Sequence, residues 1–500
     1  MADGIGRRQL LAGAGALAAV AAGSAPLRAA AQDWDLIADV VVVGAGAAGA
    51  CAAIEAAGAG ASVLLLESLA QAGGASGLCG GVVYAGGGTA LQRALGVEDS
   101  VDAMIQFLSR AGGPNPPLDK IRLYCQQSPA HFDWLASQGI PYNQRLSNAR
   151  GLPDGNESLF YSGAERDWPA REVATPAPRG HVPGVPGMDG GAVLMRHLLQ
   201  RAAALGARMR TGVRAERLVL ESDGRVAGIA VSSARGLLHV QARRAVVLTC
   251  GGFIHNRDMV RQYAPRLYEC ATPWGGAGDT GGGINMAVAA GAAALRMHEG
   301  YAGSVPDATG GALGGLLVNS SGQRFIAEDA WAGAIGHAIA YEQRGRAWLV
   351  TDARGALPEN QLDFPLAARA DTIGGIEQVL ELPRGALQQS VAYYNRYAGR
   401  GEDPQFRKST AFLRPLQGPP YRAWAVSGDR AFFPAFTLGG LATSIRCEVL
   451  NGFGEAIPGL YAAGRTAAGL PTAPFLASGL SLGDATFFGR RAGRAAAGVS

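Results

Sequence analysis

Asp39-Val40-Val41-Val42-Val43-Gly44-Ala45-Gly46-Ala47-Ala48-Gly49 decides the fold; small residues follow to about Ala57, then an apolar run from Ala61 to Leu66, and then Glu67. Consecutive β-branched residues predict a strand buried on both faces, as in a parallel sheet. Each glycine after it has a physical task. Gly44 permits a tight turn, Gly46 lets a diphosphate approach the backbone, and Gly49 lets the next helix pack closely on the strand. The N-terminus of that helix stabilises negative charge, with Ala45, Ala47 and Ala48 beside it. Glu67 ends the second strand where an acid meets ribose hydroxyls, and Ser68 follows it. Strand, turn, helix, strand and acid in this order predict a Rossmann-type βαβ unit holding an adenine dinucleotide.

What comes next selects FAD over NAD. A flavin dinucleotide lies extended and needs backbone contacts beyond one βαβ unit. Gly73-Gly74-Ala75-Ser76 and Gly80-Gly81 follow the ribose acid directly. Ala245 to Thr249 reads as a strand ending in Gly251-Gly252, and Gly278-Asp279-Thr280-Gly281 opens a helix. Gly459 to Gly464 is a further strand followed by Arg465, and a last helix starts near Ser478-Gly479 with Ser481 and Leu482 in its first turn. Together with Val213, these segments supply the expected cofactor contacts. The fold class is α/β, with a discontinuous Rossmann-type FAD-binding domain.

Five hundred residues, 48% of them apolar, suffice for two or three structural units. The 74 glycines follow no collagen-like period and fall in clusters between apolar runs. Net charge is +4, and no basic run interleaved with aromatics suggests nucleic acid. Cys51, Cys79, Cys125, Cys250, Cys270 and Cys447 form neither CxxC nor CxxCH, so no metal site or haem is expected and the electron acceptor or donor is external. Gly6-Arg7-Arg8-Gln9-Leu10-Leu11, a weakly apolar stretch to about Val20 and Arg28-Ala29-Ala30-Ala31 read as a twin-arginine leader over residues 1–31. That predicts periplasmic export with the cofactor already inserted. The apolar stretch falls short of the about 20 strongly apolar residues a membrane span requires, and no other segment is long enough.

These segments, in this order, resemble the flavoprotein group of fumarate reductases, succinate dehydrogenases and 3-ketosteroid dehydrogenases. The resemblance implies an FAD-binding domain in two parts, 32–295 and 436–500, with an inserted α+β cap over 296–435 and substrate held between cap and flavin. Three stretches resemble the ketosteroid branch of Δ4(5α) type: Tyr84-Ala85-Gly86-Gly87-Gly88-Thr89, Pro176-Ala177-Pro178-Arg179-Gly180-His181, and Ala463-Gly464-Arg465-Thr466 with Ala477-Ser478-Gly479-Leu480-Ser481-Leu482. Where fumarate reductases carry two arginines and a histidine, this chain has Ala332, Phe475 or Leu476, and Phe436. Where ketosteroid dehydrogenases carry tyrosines, it has Trp331 and Phe475 or Leu476.

The expected reaction is hydride transfer between flavin N5 and a carbon next to a carbonyl, on an apolar alicyclic ketone of the ketosteroid kind. Ser478, Tyr161 and His181 are the candidates for proton transfer and carbonyl contact. Ser478 also reads as the cap of the last helix, Tyr161 as packing, and His181 as a structural histidine. Trp331, Phe432, Phe433, Phe436 and Phe475 are the candidate pocket walls. Alternatives are an exported reductase of an unsaturated acid and a flavin-binding protein without turnover.

Overall fold

In the computed structural model, residues 26–29, 33–148, 151–270, 272–304, 312–355, 357, 364–426 and 431–499 are described. The main sheet comprises, in chain order, β1 (Leu27–Arg28), β2 (Leu36–Val43), β3 (Val63–Leu66), β4 (Arg208–Arg210), β5 (Arg214–Leu220), β6 (Val226–Ser233), β7 (Gly236–Leu248), β8 (Glu448–Leu450) and β9 (Ala456–Ala462). Its spatial order is β1-β5-β6-β7-β2-β3-β4, with β9 parallel to the end of β7 and β8 antiparallel to β9. β5, β6 and β7 form an antiparallel meander, whereas β7, β2, β3 and β4 run parallel.

The valine run needs two covered faces, and it has them. Val40 and Val42 enter one apolar cluster, Val41 and Val43 another. On β3 the same alternation sends Val63 and Leu65 one way and Leu64 and Leu66 the other. Side chains of successive strand residues point to opposite faces, so an unbroken apolar run is what a sheet between two cores requires.

One covering layer is made by α1 (Ala47–Gly58) and α2 (Leu480–Ala496), which come from opposite ends of the chain. Side-chain carbons added at Gly489 and Gly493 would collide with the carbonyl oxygens of Ala48 and Ala52. The two helices therefore meet backbone to backbone, and Arg490 adds an ion pair to Glu55 at 2.8 Å. This contact brings the C-terminal segment to the first turn of α1.

Between the two sheet-bearing halves of the chain lies a separate antiparallel sheet of Leu316–Asn319, Ala347–Thr351, Tyr421–Ala425 and Leu366–Ala370. Helices Ile373–Val379 and Ala386–Ala398 pack on it around their own core of Leu316, Val318, Ile376, Leu387 and Val391. Arg324 is buried there in ion pairs with Glu328 and Asp403, both at 2.8 Å. A three-stranded sheet of Thr272–Pro273, Pro434–Thr437 and Gly300–Ala302 ties this unit to the main sheet.

Residues 1–25 and 30–31 of the leader reading lie outside the described residues, while Leu27 and Arg28 pair in parallel with Val219 and Leu220 at the sheet edge. Among the described residues, no helix is long and apolar enough to cross a membrane, and no group of His, Cys, Asp or Glu is arranged to hold a metal.

Candidate active site

The turn after β2 is built by contact as much as by conformation. Gly44 has φ 102°, and a side-chain carbon on it would collide with the Thr249 carbonyl; one on Gly49 would collide with the Gly44 carbonyl. Thr249 closes the turn, with its hydroxyl 2.8 Å from the carbonyl oxygens of both Val43 and Gly44. Gly46 is different. Its φ is −80°, and an added carbon would meet nothing nearer than Ser76 Oγ at 3.6 Å. Neither its backbone conformation nor packing within the chain demands glycine there; a group lying against it does. Gly46 is the N-cap of α1 and has no side chain to cap it; beyond Ala47, whose N–H donates to Ser76 Oγ, the amides of Ala48 and Gly49 are left to an anion. These residues fit the diphosphate of FAD.

Glu67 is 6% exposed. Its carboxylate accepts from the Ala45 N–H at 3.0 Å, the Leu69 N–H at 2.9 Å and the Ser68 hydroxyl at 3.2 Å, and the Val213 N–H donates to its carbonyl at 2.8 Å. The acid and the turn thus share one hydrogen-bond system. Gly73 and Gly74 take φ 121° and 50°, carrying the next loop across Gly46, and Ser76 Oγ accepts from the Ala47 N–H at 3.2 Å. Gly80 and Gly81 make room for Leu152 and Gly190, so their place is in shaping this loop.

At the other end of the cradle, Asp279 is spoken for. Its carboxylate accepts from the Gly252 and Gly276 amides, each at 3.1 Å, and from Arg465 at 2.8 Å. Asp279 and Arg465, expected to touch the cofactor, hold each other and lock the Gly251–Gly252 loop to the 275–279 loop. Gly464 takes φ 63° against Ala48 of α1.

The start of α2 corrects one alternative for Ser478. The N-cap is Gly479, at φ 91° and with no side-chain cap, so Ser478 does not cap the helix. The Ser478 N–H donates to the Ser162 carbonyl at 3.0 Å, and the Ser162 hydroxyl donates back to the Ser478 carbonyl at 2.9 Å. Among the described residues, the Ser478 hydroxyl has no partner. Ser481 Oγ, in the first turn of α2, is buried and also unpartnered. An uncapped helix start with an orphaned buried hydroxyl fits the polar edge of a flavin ring. Leu482 is in the core.

His181, a candidate for proton transfer, is a core histidine instead. It is fully buried, Nδ1–H donates to the Arg179 carbonyl at 3.0 Å, and Nε2 accepts from Thr89 at 2.9 Å. Burial pushes its pKa down to about 4, so it stays neutral and has no free nitrogen. Tyr161 lies one residue from the Ser162–Ser478 pairing, and its ring carries the Arg166 guanidinium at 4.2 Å. It faces a cavity shared with Trp331, beside the Ser478 segment.

Sequence reasoning missed Glu165. It is 1% exposed, it accepts from the Gly163 N–H at 2.9 Å, and burial pushes its carboxyl up to about 7. The Tyr84 hydroxyl and Arg179 Nη1 stand close enough to influence it, yet all three atoms lack a hydrogen bond of good geometry. The rest of Arg179 is committed to Asp99, at 2.6 and 3.0 Å. Only this pattern of three buried, unmatched polar groups marks the place, and it is a property of the fold.

The aromatic wall forms in part. Phe436 and Phe475 meet edge to face at 5.5 Å, and Arg465 stands 5.4 Å from the Phe436 ring centre. Phe433 is fully buried in the core and Phe432 is 45% exposed, so neither builds a wall with them. Trp331 lines the cavity with Tyr161. Sequence reasoning missed Tyr301, which stacks on Phe436 at 4.8 Å and meets Phe475 edge-on at 5.3 Å. Its hydroxyl has no hydrogen-bond partner among the described residues. Burial raises it to about 12, so the phenol remains a donor.

A dinucleotide cradle at one end of α1, an uncapped α2 and a wall of aromatics define an FAD-dependent oxidoreductase of the kind acting on CH–CH bonds. The chain belongs to the FAD binding domain family, which it matches over residues 39–479. It is similar to the crystal structure of a 3-ketosteroid-delta4-(5alpha)-dehydrogenase from Rhodococcus jostii RHA1 in complex with 4-androstene-3,17-dione, at 40% identity and TM-score 0.88, covering 95% of this chain and 99% of that one. A 3-oxo-5-alpha-steroid 4-dehydrogenase from Comamonas testosteroni is 29% identical, over 86% of this chain and 93% of that protein. A urocanate reductase from Eggerthella lenta is 29% identical, over 92% of this chain and 75% of that protein.

Proposed function

We propose that this enzyme interconverts a saturated ketone and its α,β-unsaturated form on an apolar polycyclic skeleton of the 3-ketosteroid type. The observation that carries the reading is the free Ser478 hydroxyl at the uncapped start of α2, beside a wall of Phe436, Phe475 and Tyr301. FAD, when bound, supplies hydride exchange at its N5 position. The Gly44–Gly49 turn and α1 hold its diphosphate, Glu67 its ribose, and the α2 amides its polar ring edge. Tyr301 donates to the substrate carbonyl and lowers the energy of the enolate. Ser478 passes the α-proton to or from solvent. The aromatic wall keeps water from the reacting bond. Ala332, Phe436 and Phe475 or Leu476 carry no charge where the fumarate reductases carry theirs, which speaks against fumarate as the main substrate.

The relatives support this choice: one binds 4-androstene-3,17-dione, and another is a steroid 4-dehydrogenase. The test is anaerobic titration of the FAD-loaded enzyme. A saturated 3-ketosteroid should bleach the flavin, and an external dye should restore it; silence toward both the saturated ketone and 4-androstene-3,17-dione overturns the reading. Export by a twin-arginine leader is part of the same proposal, supported by Arg7-Arg8 and the alanines after Arg28. Mature protein from a periplasmic extract should begin near residue 30–33, and a chain retaining Arg7 would overturn export.

A further inference from the structure

Beside the start of α2 the chain buries polar atoms that it does not pair. Glu165 Oε1, the Tyr84 hydroxyl and Arg179 Nη1 are enclosed without a hydrogen bond, and Arg179 and Tyr84 are the side chains whose charge acts on the carboxyl. Buried groups left unmatched in this way need a physical reason.

The backbone shows what they surround. Tyr84 pairs with Gly180 across the short antiparallel strands Val83–Tyr84 and Gly180–His181, and the Tyr84 N–H donates to the Gly479 carbonyl at 3.1 Å. A side-chain carbon on Gly180 would collide with the Ser162 hydroxyl. Side chains at directly paired positions stand on one face, so the Tyr84 phenol and the Ser162 hydroxyl share a face of this sheet. Ser162 is in turn hydrogen-bonded to Ser478 in both directions. Three residues on, the Glu165 carboxyl turns back to accept from the Gly163 N–H at 2.9 Å, and Gly163 bridges Ala477. The carboxyl is anchored to the same pair of segments that carries Ser478.

A serine that takes the α-proton must pass one on, because an alcohol does not keep an extra proton near neutral pH. The neighbouring groups divide by what they can accept. His181 stays neutral with both nitrogens engaged. Burial holds the Tyr84 phenol well above its usual range, so it remains a donor. Arg179 stays protonated and is paired with Asp99. Glu165, at about 7, is the member of this group that changes charge near neutrality.

We propose that Glu165 is the proton acceptor behind Ser478, reached through the Ser162 hydroxyl. In dehydrogenation the α-C–H bond breaks and its electron pair becomes the new double bond. The proton goes to the Ser478 oxygen, the Ser478 proton passes to Ser162, and the Ser162 proton ends on the ionised Glu165 carboxylate. The β-hydrogen leaves with its electron pair to FAD, which the external acceptor reoxidises. Arg179 Nη1 and the Tyr84 hydroxyl then have their task, as donors to the carboxylate while it is charged. Glu165 acts through Ser478 and not on the substrate. This rests on the ketone reading above and adds the group that receives its proton first.

The test is the rate of flavin reduction when FAD-loaded enzyme is mixed anaerobically with a saturated 3-ketosteroid, followed by stopped-flow absorbance from pH 5 to 8. The wild-type rate should rise with pH and level off above about 7, because the carboxylate must be ionised to receive the proton. In Glu165→Gln the inflection should vanish and the rate at pH 8 should fall about 10², with FAD content and the dissociation constant for 4-androstene-3,17-dione unchanged. Glu165→Asp should restore a pH-dependent rate, which a purely structural glutamate would not require. Ser162→Ala should keep the inflection and lower the plateau about tenfold. In the resting enzymes, an infrared band of a protonated carboxyl should be lost between pH 5 and 8 in the wild type, in excess of any such loss in Glu165→Gln. A wild-type rate that does not change with pH, or an inflection that survives in Glu165→Gln, overturns the part given to Glu165 alone. No reduction of the wild-type flavin by the steroid at any pH overturns the ketone reading and this assignment with it.

Discussion

Replacing Glu165 by glutamine isolates the cost of burying a carboxyl beside the Ser478 segment. The group is 1% exposed, and burial is the main reason it is raised from an ordinary 4.5 to about 7; its own amide, Arg179, Tyr84 and the Gly163 N–H all act in the opposite direction. The folded state thus binds this proton more tightly than the unfolded chain does. Below the unfolded value both states hold it and nothing is lost. As pH rises from about 4.5 to about 7, the unfolded chain releases the proton first, and stability falls. Above about 7 the full penalty is present, on the order of 3 kcal/mol at 1.36 kcal/mol for each tenfold difference in proton affinity. Glutamine keeps the shape and cannot ionise. Denaturant unfolding of FAD-loaded wild type and Glu165→Gln, followed by tryptophan fluorescence from pH 5 to 8, should give close values at the acid end. The variant should become the more stable protein at the alkaline end. Asp484, also raised by burial, to about 6, titrates in both proteins and cancels in the difference. A difference that does not change with pH, or a variant less stable at pH 8, would refute the reasoning.

Four further outcomes follow from the same geometry. Gly46→Ala should fold with unchanged stability yet purify without flavin, because the added carbon occupies only the space reserved for the diphosphate; an FAD content equal to wild type would count against the cradle. Gly49→Ala should lose soluble expression or several kcal/mol of stability, since its carbon would strike the Gly44 carbonyl; circular dichroism melts decide. Tyr301→Phe should keep its flavin and lose about 10² in kcat/KM, the typical cost of one donor to a developing oxyanion, and isotope-edited infrared should show the bound ketone stretch moving to higher frequency. Ser478→Ala should melt within about 0.5 kcal/mol of wild type, as expected of a residue that caps nothing, while turnover falls about 10².

The first βαβ unit was legible because its signals are local: four valines, a glycine spacing and an acid within thirty residues. The aromatic wall was half legible. Phe436 and Phe475 could be named, but of Phe432-Phe433, which precede the strand Pro434–Thr437, one ring is exposed and the other buried, and composition does not say which. Tyr301 escaped because only the pairing of Gly300–Ala302 with Pro434–Thr437 lays it on Phe436. His181 takes its structural alternative because titration near neutrality belongs to the isolated imidazole, whereas Thr89 and the Arg179 carbonyl use both of its nitrogens. Glu165 carries no local signal at all, since its protonation is set by burial, which only the folded chain supplies.

The backbone contact between α1 and α2 has a consequence for biogenesis. The residues that close the cradle on α1 lie far downstream of it in the chain, so a growing chain displays the glycine turn long before anything braces it. Flavin can be captured durably only after α2 has been made and has docked on α1, which leaves loading to a late stage of folding. Trimming even the final turns of α2 should release the pigment while most of the enzyme is still intact.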